Sequence, residues 1–517
     1  MPDTLANPVN IDTSDLEELP TGNDSSTTTT TTTRHVLEAE EELRLEVPFL
    51  GTKQETQCTL CLRKGSCEVW GVELAVNKPY RLEGGFKAAL FTWHGCVVDV
   101  SCDHLDISYT SQETACNVAY VNTHAQLEAL RDEAMKQGTM GPRVLIMGPS
   151  ESGKSSLTKT LVSYATKLGR APLWIDLDPN DNSISVPGTL AAVPMTGETV
   201  TVEQFVTGGI PVGTTPLVLF HGSTTLQPEL FKAQVSALAA KTQQRLLENP
   251  QSASASSNSD DDTGGANTTP GAMNSNSNIE RSSGIIINTN GWIQDEGFEL
   301  LLHTVDAMDI SVVLIMGHDR LYSLMTNHFK KHPEIETPPK IIKLPRSGGT
   351  VSREAPFLRQ AKSRSMKRYF YGDMVDPPQP PSGQTSSNPV SLTRVPQLTP
   401  FLNQIQFGSI TLYKLSSMSL SSSLLPVAQQ QSTDSIQVQQ VELSEALQHA
   451  LLAVCHPLAV AAYQQSGRAR DLYESGVAGF CAVERVVMDT EIIHLLCPCA
   501  GSLPSQTLLI GDITWME

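Results

Sequence analysis

Short runs in which hydrophobic and polar residues alternate fill the chain from His35 to Asn122. Residues that favour turns separate these runs at short intervals. The pattern predicts a small β-sandwich or barrel at residues 35–122, because strands with one buried face alternate in this way. A helical pattern from Thr123 to Lys136 then leads into the next domain. The alternating runs are ELRLEVPF, CEVWGVEL, KAALFTWHG, CVVDVSCD, DISYTS and NVAYVN.

Apolar runs alternate with helical patterns through residues 123–375. The runs are RVLIM, APLWIDLD, PLVLFHG, GIIINTNG, ISVVLIMG and KIIKLP. Strands that alternate with helices favour a parallel sheet covered on both faces. We therefore predict an α/β fold class with this sheet in the central domain. The predicted helices are Ser155 to Leu168, Phe231 to Glu248, Asp295 to Met308, Asp319 to Lys331 and Ser352 to Lys367.

Polar segments of low complexity mark the boundaries of these domains. Residues 1–34 and an insert at 249–283, centred on Asn249 to Asn278, are expected to be disordered because they cannot bury a core. Residues 376–396 are rich in proline and are expected to be a linker. Residues 397–517 predict a third, mixed α/β domain with one helix near Glu442 to Val454, and the apolar stretch Ala446 to Ala462 is expected to be a buried helix.

The segment MGPSESGKSS carries the strongest chemical signal. Gly148, Gly153, Lys154 and Ser155 satisfy G-x-x-x-x-G-K-[ST] between an apolar strand and a helix, which is a P-loop. Backbone N–H groups of such a loop surround phosphates, and the helix N-terminus adds a favourable dipole. Lys154 is expected to reach the β and γ phosphates, and the Ser155 hydroxyl is expected to bind Mg²⁺. The segment therefore predicts a nucleotide site.

The net charge of −19 argues against a protein that coats nucleic acid non-specifically. Six basic residues and one acid lie between Arg353 and Arg368, a segment that could face phosphates or form a solvated helix face. No stretch reaches the roughly 18 uncharged apolar residues of a membrane span, and the N-terminus lacks the apolar core of a signal peptide. We therefore expect a soluble intracellular protein that does not bind a membrane.

The ten cysteines form no disulfide framework. Cys58-x-x-Cys61 with Cys67, and Cys497-Pro-Cys499, lack partners that would complete four zinc ligands at the usual spacing. We expect ordinary core thiols.

The acceptor of the terminal phosphate is the open question. The late strand is followed by HDRLY rather than the N/T-K-x-D motif of GTPases, so a switch protein is not expected. In the segment WIDLDPND, Asp176 and Asp178 would point the same way from a strand. Asp178 could share Mg²⁺ with Ser155, take a proton from an acceptor hydroxyl, or form a turn. Trp292 could stack a nucleobase or belong to the core.

These segments together resemble the RNA-processing branch of the polynucleotide 5′-hydroxyl kinase family, over residues 35–517 apart from the inserts. The resemblance implies a P-loop kinase-like domain between a β domain and a C-terminal domain, with ATP and Mg²⁺ as cofactors and a nuclear location. It implies other subunits of the pre-mRNA cleavage factor complex as partners, and RNA 5′ ends if the chain is active. The segments that carry it are ELRLEV, FTWHGC, GPRVLIMGPSESGKSS, YATKLGRAPLWIDLDPNDNSISVPGT, INTNGW, SGGTVSR and RYFYG.

The resemblance also implies roles for individual residues. Glu42 and Lys87 match positions that contact ATP from the first domain. Thr289 and Trp292 match a clasp that grips the RNA end, and Arg353 matches the first arginine of a lid over the γ-phosphate. Asp178 matches a carboxylate that shares Mg²⁺ with Ser155, and Lys154, Asp178 and Arg353 would be catalytic in an active enzyme. The phosphate loop itself is matched by Glu151, Ser152, Gly153, Lys154, Ser155 and Ser156.

Two positions depart from the pattern of active relatives. Asp181 stands where that pattern has glutamine, and Leu358 stands where it has the second lid arginine. Arg359 is adjacent, but a helix rotates about 100° per residue. Some members of the family, notably fungal ones, are thought to retain ATP as a structural ligand without kinase activity. The sequence therefore predicts a nuclear, ATP-binding subunit of the pre-mRNA 3′-end cleavage and polyadenylation machinery that is required for endonucleolytic cleavage and holds ATP mainly as a structural ligand. An active RNA 5′-hydroxyl kinase is the alternative. A generic ATPase would leave the RNA clasp unexplained.

Overall fold

In a computed structural model, the chain is described at residues 31–49, 58–206, 214–247, 273–375, 395–417 and 436–516. The described residues form two compact units. The first combines the segment up to Asp176 with Ala192–Thr215 and Ala239–Leu358, and the second combines Leu177–Ala191, Pro216–Leu238 and Arg359–Glu517.

Short strands build the amino-terminal part of the first unit as two antiparallel sheets, which confirms the predicted β-sandwich. These strands are β1 (Thr31–Leu37), β2 (Glu42–Glu46), β3 (Cys58–Gly65), β4 (Glu68–Val69), β5 (Val72–Glu73), β6 (Pro79–Leu82), β7 (Lys87–Phe91), β8 (Cys96–Cys102) and β9 (Ile107–Ser111). One sheet has the order β1-β8-β3-β6 and the other has the order β5-β4-β7-β2-β9.

Strand β1 corrects the predicted disordered tail at residues 31–34; residues 1–30 lie outside the described residues. Thr31 pairs with Cys102 and Leu37 pairs with Cys96 along the full length of β8. The threonine run lacks hydrophobic periodicity, but β-branched residues suit a strand once an adjacent strand supplies hydrogen bonds.

A buried carboxylate joins three strands of this sheet. Asp99 on β8 is 3% exposed and accepts hydrogen bonds from Arg34 Nε (2.7 Å) and Nη2 (2.9 Å) on β1 and from Arg63 Nε (2.8 Å) on β3. Burial by itself raises the pKa of Asp99, but the hydrogen bonds from both arginines outweigh burial, and the net pKa lies below its ordinary value.

Helix α1 (Ala115–Gln137) begins earlier than predicted and includes NVAYVN, which the alternating pattern had placed in a strand. Its buried positions Cys116, Tyr120, Thr123 and Leu127 follow the helical period, which a six-residue window is too short to show. The helix ends at Gly138, whose φ of 65° is the left-handed conformation of a helix C-terminus.

Parallel strands form the centre of the first unit, which confirms the predicted parallel sheet. Five strands of that unit, in spatial order, are β11 (Leu173–Asp176), β14 (Ile285–Asn288), β10 (Arg143–Met147), β15 (Val312–Met316) and β16 (Lys340–Leu344). Adjacent members pair in parallel, with Leu145 opposite both Ile287 and Val313. Two further strands of the chain are β12 (Thr189–Pro194) and β13 (Leu217–Phe220).

Six helices accompany these strands in the described residues, and all but α4 lie at predicted places. They are α2 (Lys154–Lys167), α3 (Pro228–Leu247), α4 (Met273–Ser283), α5 (Glu296–Ala307), α6 (Asp319–Lys331) and α7 (Ala355–Tyr371). Helix α4 corrects the carboxyl-terminal part of the predicted disordered insert, whose residues 249–272 lie outside the described residues. Arg131 on α1 donates to the Ser283 carbonyl (2.9 Å), so α4 gains buried contacts that its polar composition did not predict.

The second unit contains a mixed seven-stranded sheet over the carboxyl-terminal part of the chain. Its order is β19 (Phe401–Gln406), β24 (Ile492–Cys497), β23 (Val477–Val487), β22 (Ala450–Cys455), β25 (Thr507–Thr514), β20 (Thr411–Ser417) and β21 (Ile436–Val441). Buried Leu452, Val454, Cys481 and Ile493 belong to its core. Two short helices are α8 (Pro457–Ser466) and α9 (Arg470–Tyr473).

The predicted helices at Glu442 to Val454 and Ala446 to Ala462 are wrong in this region. Strand β22 occupies Ala450–Cys455, and α8 starts only at Pro457. All six residues of β22 are buried, and a short run buried on both faces has no periodicity that separates strand from helix.

The last two residues of the predicted linker at 376–396 form a strand, which corrects the prediction there. Strand β17 (Met374–Val375) pairs with β18 (Val395–Pro396), and residues 376–394 lie outside the described residues.

Nine cysteines are buried free thiols, as predicted for core residues. Cys499 is exposed, so that prediction is wrong for this residue, which follows the end of β24. Within the described residues, no helix is both long and apolar enough to cross a membrane.

We expect Asp99→Asn to lower the free energy of unfolding by about 2 kcal/mol at neutral pH, because two arginines lose a buried anionic partner. The folded-state pKa of Asp99 is depressed, so its contribution is present above the unfolded-state pKa and is lost as pH falls through the folded value. Thermal unfolding of both proteins across the acidic range tests this. The difference should shrink toward low pH, whereas exposed Asp106→Asn should match wild type throughout; a constant difference would contradict the assignment.

Candidate nucleotide site

The P-loop connects the end of β10 at Met147 to the start of α2 at Lys154, as predicted. Two of its residues have left-handed backbone conformations, Glu151 with a φ of 57° and Gly153 with a φ of 90°. Such left-handed residues turn successive backbone N–H groups toward one side, which creates an anion-binding concavity. The local geometry therefore suits phosphate.

Side chains of the P-loop pack closely against its own backbone. Lys154 is 7% exposed, and its Nζ donates to the Pro149 carbonyl (2.7 Å). Ser152 Oγ donates to the same carbonyl (2.9 Å). The first of these bonds holds the Lys154 ammonium group beside the loop.

The segment after β14 lies against the P-loop. Thr289 is 3% exposed, and its hydroxyl donates to the Ile146 carbonyl on β10 (2.8 Å). A methyl group on Gly291 would lie 2.0 Å from Ser150 Oγ and 2.4 Å from Ser150 N. Only glycine fits between these two segments, so the loop after β14 helps fix the P-loop.

Trp292 is 37% exposed at the edge of this arrangement. Its ring lies on the first turn of α5, because a methyl group on Gly297 would come within 2.6 Å of Trp292 Cγ. Thr289 is thus a buried anchor, and Trp292 presents an aromatic surface. Their predicted role as an RNA clasp stays a prediction.

Asn288 completes a polar group that the sequence did not single out. Its Nδ2 lies 3.3 Å from Ser155 Oγ and donates to Asp176 Oδ1 (3.1 Å). Asn288 is 1% exposed, and its Oδ1 is buried without a hydrogen-bond partner among the described residues. The sequence feature that could have identified Asn288 is its position at the end of the buried strand IIIN, where it is the one polar residue.

This polar group fits a magnesium ion. A hydroxyl, a carboxylate and an unpartnered amide oxygen are hard oxygen donors, which Mg²⁺ prefers together with water and phosphate. Asp176 is a carboxylate that the sequence did not assign to the metal, and Asn288 connects it to Ser155.

Asp178 belongs to the second unit, where it is half-buried. Its Oδ1 accepts a hydrogen bond from Asn180 N (2.9 Å), the geometry of an Asx turn. Asn180 Oδ1 in turn accepts from Lys362 Nζ on α7 (2.7 Å). The turn that the sequence offered as an alternative is therefore present, and the metal role of Asp178 stays a prediction.

The sandwich supplies one wall of the cleft beside the P-loop, with Glu42, Arg44 and Lys87 among the lining residues. Glu42 is 2% exposed and accepts from Arg44 Nε (2.6 Å). Lys87 forms an ion pair with Glu46 (2.6 Å). Glu42 and Lys87 therefore lie at the cleft as expected, and their contact with a nucleotide stays a prediction.

Aromatic residues that the sequence did not single out line the same cleft, including Trp70 and Tyr164. The Tyr164 hydroxyl donates to Glu68. Burial raises the pKa of the Glu68 carboxyl and also raises the pKa of Tyr164. This region offers flat apolar surface and a buried polar pair, which suit a nucleobase.

Residues 346–354, which contain Arg353 and are called the lid segment here, also reach the cleft. Ser156 of the P-loop and Arg353 of the lid segment both help to line it. The Glu151 carboxylate accepts from Ser352 Oγ (2.8 Å) and from Arg353 N. The first predicted lid arginine is therefore close to the P-loop.

Comparison with protein families identifies the three parts of the chain. Residues 36–134 match the N-terminal beta-sandwich domain of polyadenylation factor, and residues 148–256 and 266–372 match the mRNA cleavage and polyadenylation factor CLP1 P-loop. Residues 398–517 match the pre-mRNA cleavage complex II protein Clp1. The Protein CLP1 homolog of Dictyostelium discoideum is 32% identical over 490 residues, which cover 93% of this chain and 89% of that protein. The chain belongs to the Clp1 family of mRNA cleavage and polyadenylation factors.

Other Clp1 relatives agree with this assignment. The human polyribonucleotide 5′-hydroxyl-kinase Clp1 is 30% identical over 498 residues, or 96% of this chain and 99% of that protein. A solved structure of a wild-type Clp1p–Pcf11p complex matches 95% of this chain and 100% of that chain with a TM-score of 0.71. At 21% identity, this match shows that the fold is shared.

Leu358 stands where the pattern of active relatives has the second lid arginine. Helix α7 runs from Ala355, so Leu358 and Arg359 are successive residues of one helix and project about 100° apart.

We expect Gly291→Ala to weaken nucleotide binding by roughly 5- to 100-fold, because overpacking costs about 1–3 kcal/mol and the added methyl group must displace Ser150 of the P-loop. Titration with a fluorescent ATP analogue measures this effect. Gly408→Ala is the matched control, since its added methyl group meets nothing within 4 Å. Equal affinities for wild type and Gly291→Ala would contradict the described packing.

Proposed function

We propose that this chain is a nuclear, ATP-binding subunit of the pre-mRNA 3′-end cleavage and polyadenylation machinery. It is required for endonucleolytic cleavage and holds ATP and Mg²⁺ mainly as a structural ligand. The observation that carries the proposal is a cleft in the first unit that the sandwich, the P-loop and the lid segment line together. A ligand held by three segments stabilises their common folded arrangement by mass action.

In this proposal the triphosphate binds at the P-loop. Backbone N–H groups of the loop bind the phosphates, and Lys154 neutralises the β and γ phosphates. The Mg²⁺ ion would bind at Ser155 near Asp176 and Asn288, with Asp178 as the further carboxylate that the family resemblance suggests. The ion would neutralise phosphate charge.

Partner proteins, rather than a broad RNA surface, fit the charge of the chain. A net charge of −19 disfavours extended contact with phosphates. A structurally similar Clp1p chain was solved with Pcf11p, which supports assembly of this chain with other cleavage factor subunits. A related structure is described as explaining ATP loss in a point mutant, which supports ATP as the resident nucleotide.

An RNA 5′-hydroxyl kinase is the second candidate, and exposed Trp292 near the P-loop favours it. In that reaction the RNA 5′ oxygen bonds to the γ-phosphorus, the bond to the β–γ bridging oxygen breaks, ADP leaves, and Asp178 takes the hydroxyl proton. An arginine that stabilises the transferring phosphoryl group contributes about 10³-fold in rate. Leu358 removes the second such arginine, so we favour the structural role.

We expect wild-type protein with Mg²⁺, γ-labelled ATP and a short 5′-hydroxyl RNA to transfer no more label than Lys154→Ala. Wild type should nevertheless bind ATP, and Lys154→Ala should lose it because the phosphates lose their cation. Exposed Lys136→Ala serves as the charge-matched control and should bind as wild type does. Label on RNA that disappears in both Lys154→Ala and Trp292→Ala would overturn the structural role in favour of the kinase.

A further inference from the structure

Glu151 is an unusual residue for a phosphate-binding loop. Its φ of 57° is a left-handed conformation that non-glycine residues adopt only at a cost, and such strain concentrates at functional sites. Its carboxylate also carries the same sign of charge as the phosphates that the loop would bind. The strained backbone and the repulsion between the carboxylate and the phosphates both require a favourable interaction that offsets them.

The lid segment provides that interaction. Both oxygens of the Glu151 carboxylate accept hydrogen bonds, Oε2 from Ser352 Oγ at 2.8 Å and Oε1 from Arg353 N. Hydrogen bonds to an ionised carboxylate are stronger than those between neutral groups. Hydrogen-bond donors of the lid segment therefore stabilise the negative charge of Glu151.

A second contact places the lid segment on the P-loop independently of Glu151. A methyl group on Gly153 would lie 3.2 Å from Cγ2 of Thr350, so the Thr350 side chain packs against the start of α2. Thr350 is itself fixed, because Arg346 Nε donates to its hydroxyl (2.5 Å) and that hydroxyl lies 2.8 Å from the Ser347 carbonyl. The lid segment is thus held in place immediately before its bonds to Glu151.

We propose that Glu151 is a positioning residue that latches the lid segment to the P-loop and thereby slows release of the bound nucleotide. It acts through Ser352 and Arg353 and not by touching phosphate. Release requires the lid to leave the cleft, and the two bonds to Glu151 must break first. The inference rests on the proposed nucleotide-binding function and adds a residue that sets how long the nucleotide stays.

Stopped-flow measurement with a fluorescent ATP analogue and Mg²⁺ tests the latch. We expect Glu151→Ala to release the analogue at least about tenfold faster with little change in its association rate, because the lost bonds exist only when the lid is closed. Glu151→Gln keeps one acceptor oxygen, and its amide nitrogen cannot accept the other hydrogen bond, so its release rate should lie between those of wild type and Glu151→Ala.

The partner side of the latch provides a second variant. Ser352→Ala should speed release severalfold, and its effect should largely vanish in the Glu151→Ala background because both changes break the same bond. Glu354→Ala, which removes an exposed acid from the same segment, is the matched control and should release nucleotide at the wild-type rate.

Each alternative outcome has a defined meaning. Tighter binding by both Glu151→Ala and Glu151→Gln would show that the carboxylate mainly repels phosphate, and unchanged release rates would show that the bonds do not hold the lid; either result overturns the latch. Absence of nucleotide binding by wild type would instead overturn the proposed function.

Discussion

The turn from Glu151 to Gly153 is the constraint on which the candidate site depends. Both residues have left-handed backbone conformations, and any relaxation would turn their N–H groups away from the phosphate position. Neighbouring segments hold this turn in place. Gly291 lies behind Ser150, where no larger residue fits, and Ser352 and Arg353 bond to the Glu151 side chain. The loop is therefore positioned by contacts remote in sequence.

Strand register explains why polar groups gather beside this loop. Asn288 lies opposite both Ile146 and Asp176 in the parallel sheet, so the carboxyl ends of β10, β11 and β14 lie at one edge. Parallel α/β sheets bind ligands at the carboxyl ends of their strands. The hydrogen bond from Asn288 to Asp176 follows from this register, and its unpartnered oxygen remains available to a hydrated cation.

Local patterns in the sequence predicted the sandwich, the parallel sheet and the P-loop, because each depends on alternation, burial or glycine spacing within a short window. The sequence could not predict Asn288 or Glu151 as contact residues, since their partners lie more than a hundred residues away. Strand β22 was mistaken for a helix because both of its faces are buried. Strand β1 was missed because a threonine run becomes a strand only beside β8. Residues distant in sequence determine the contacts of Asn288 and Glu151 and the strands β1 and β22.

The nucleotide content of the purified chain tests the central claim most directly. Protein purified without added nucleotide would be denatured, and the released nucleotides would be identified and quantified by chromatography. The account predicts about one intact ATP per chain, because a cleft closed by the sandwich, P-loop and lid releases its ligand slowly and the ligand stabilises the folded state. Recovery of no nucleotide, or of ADP alone, would contradict the claim that ATP is a retained structural ligand.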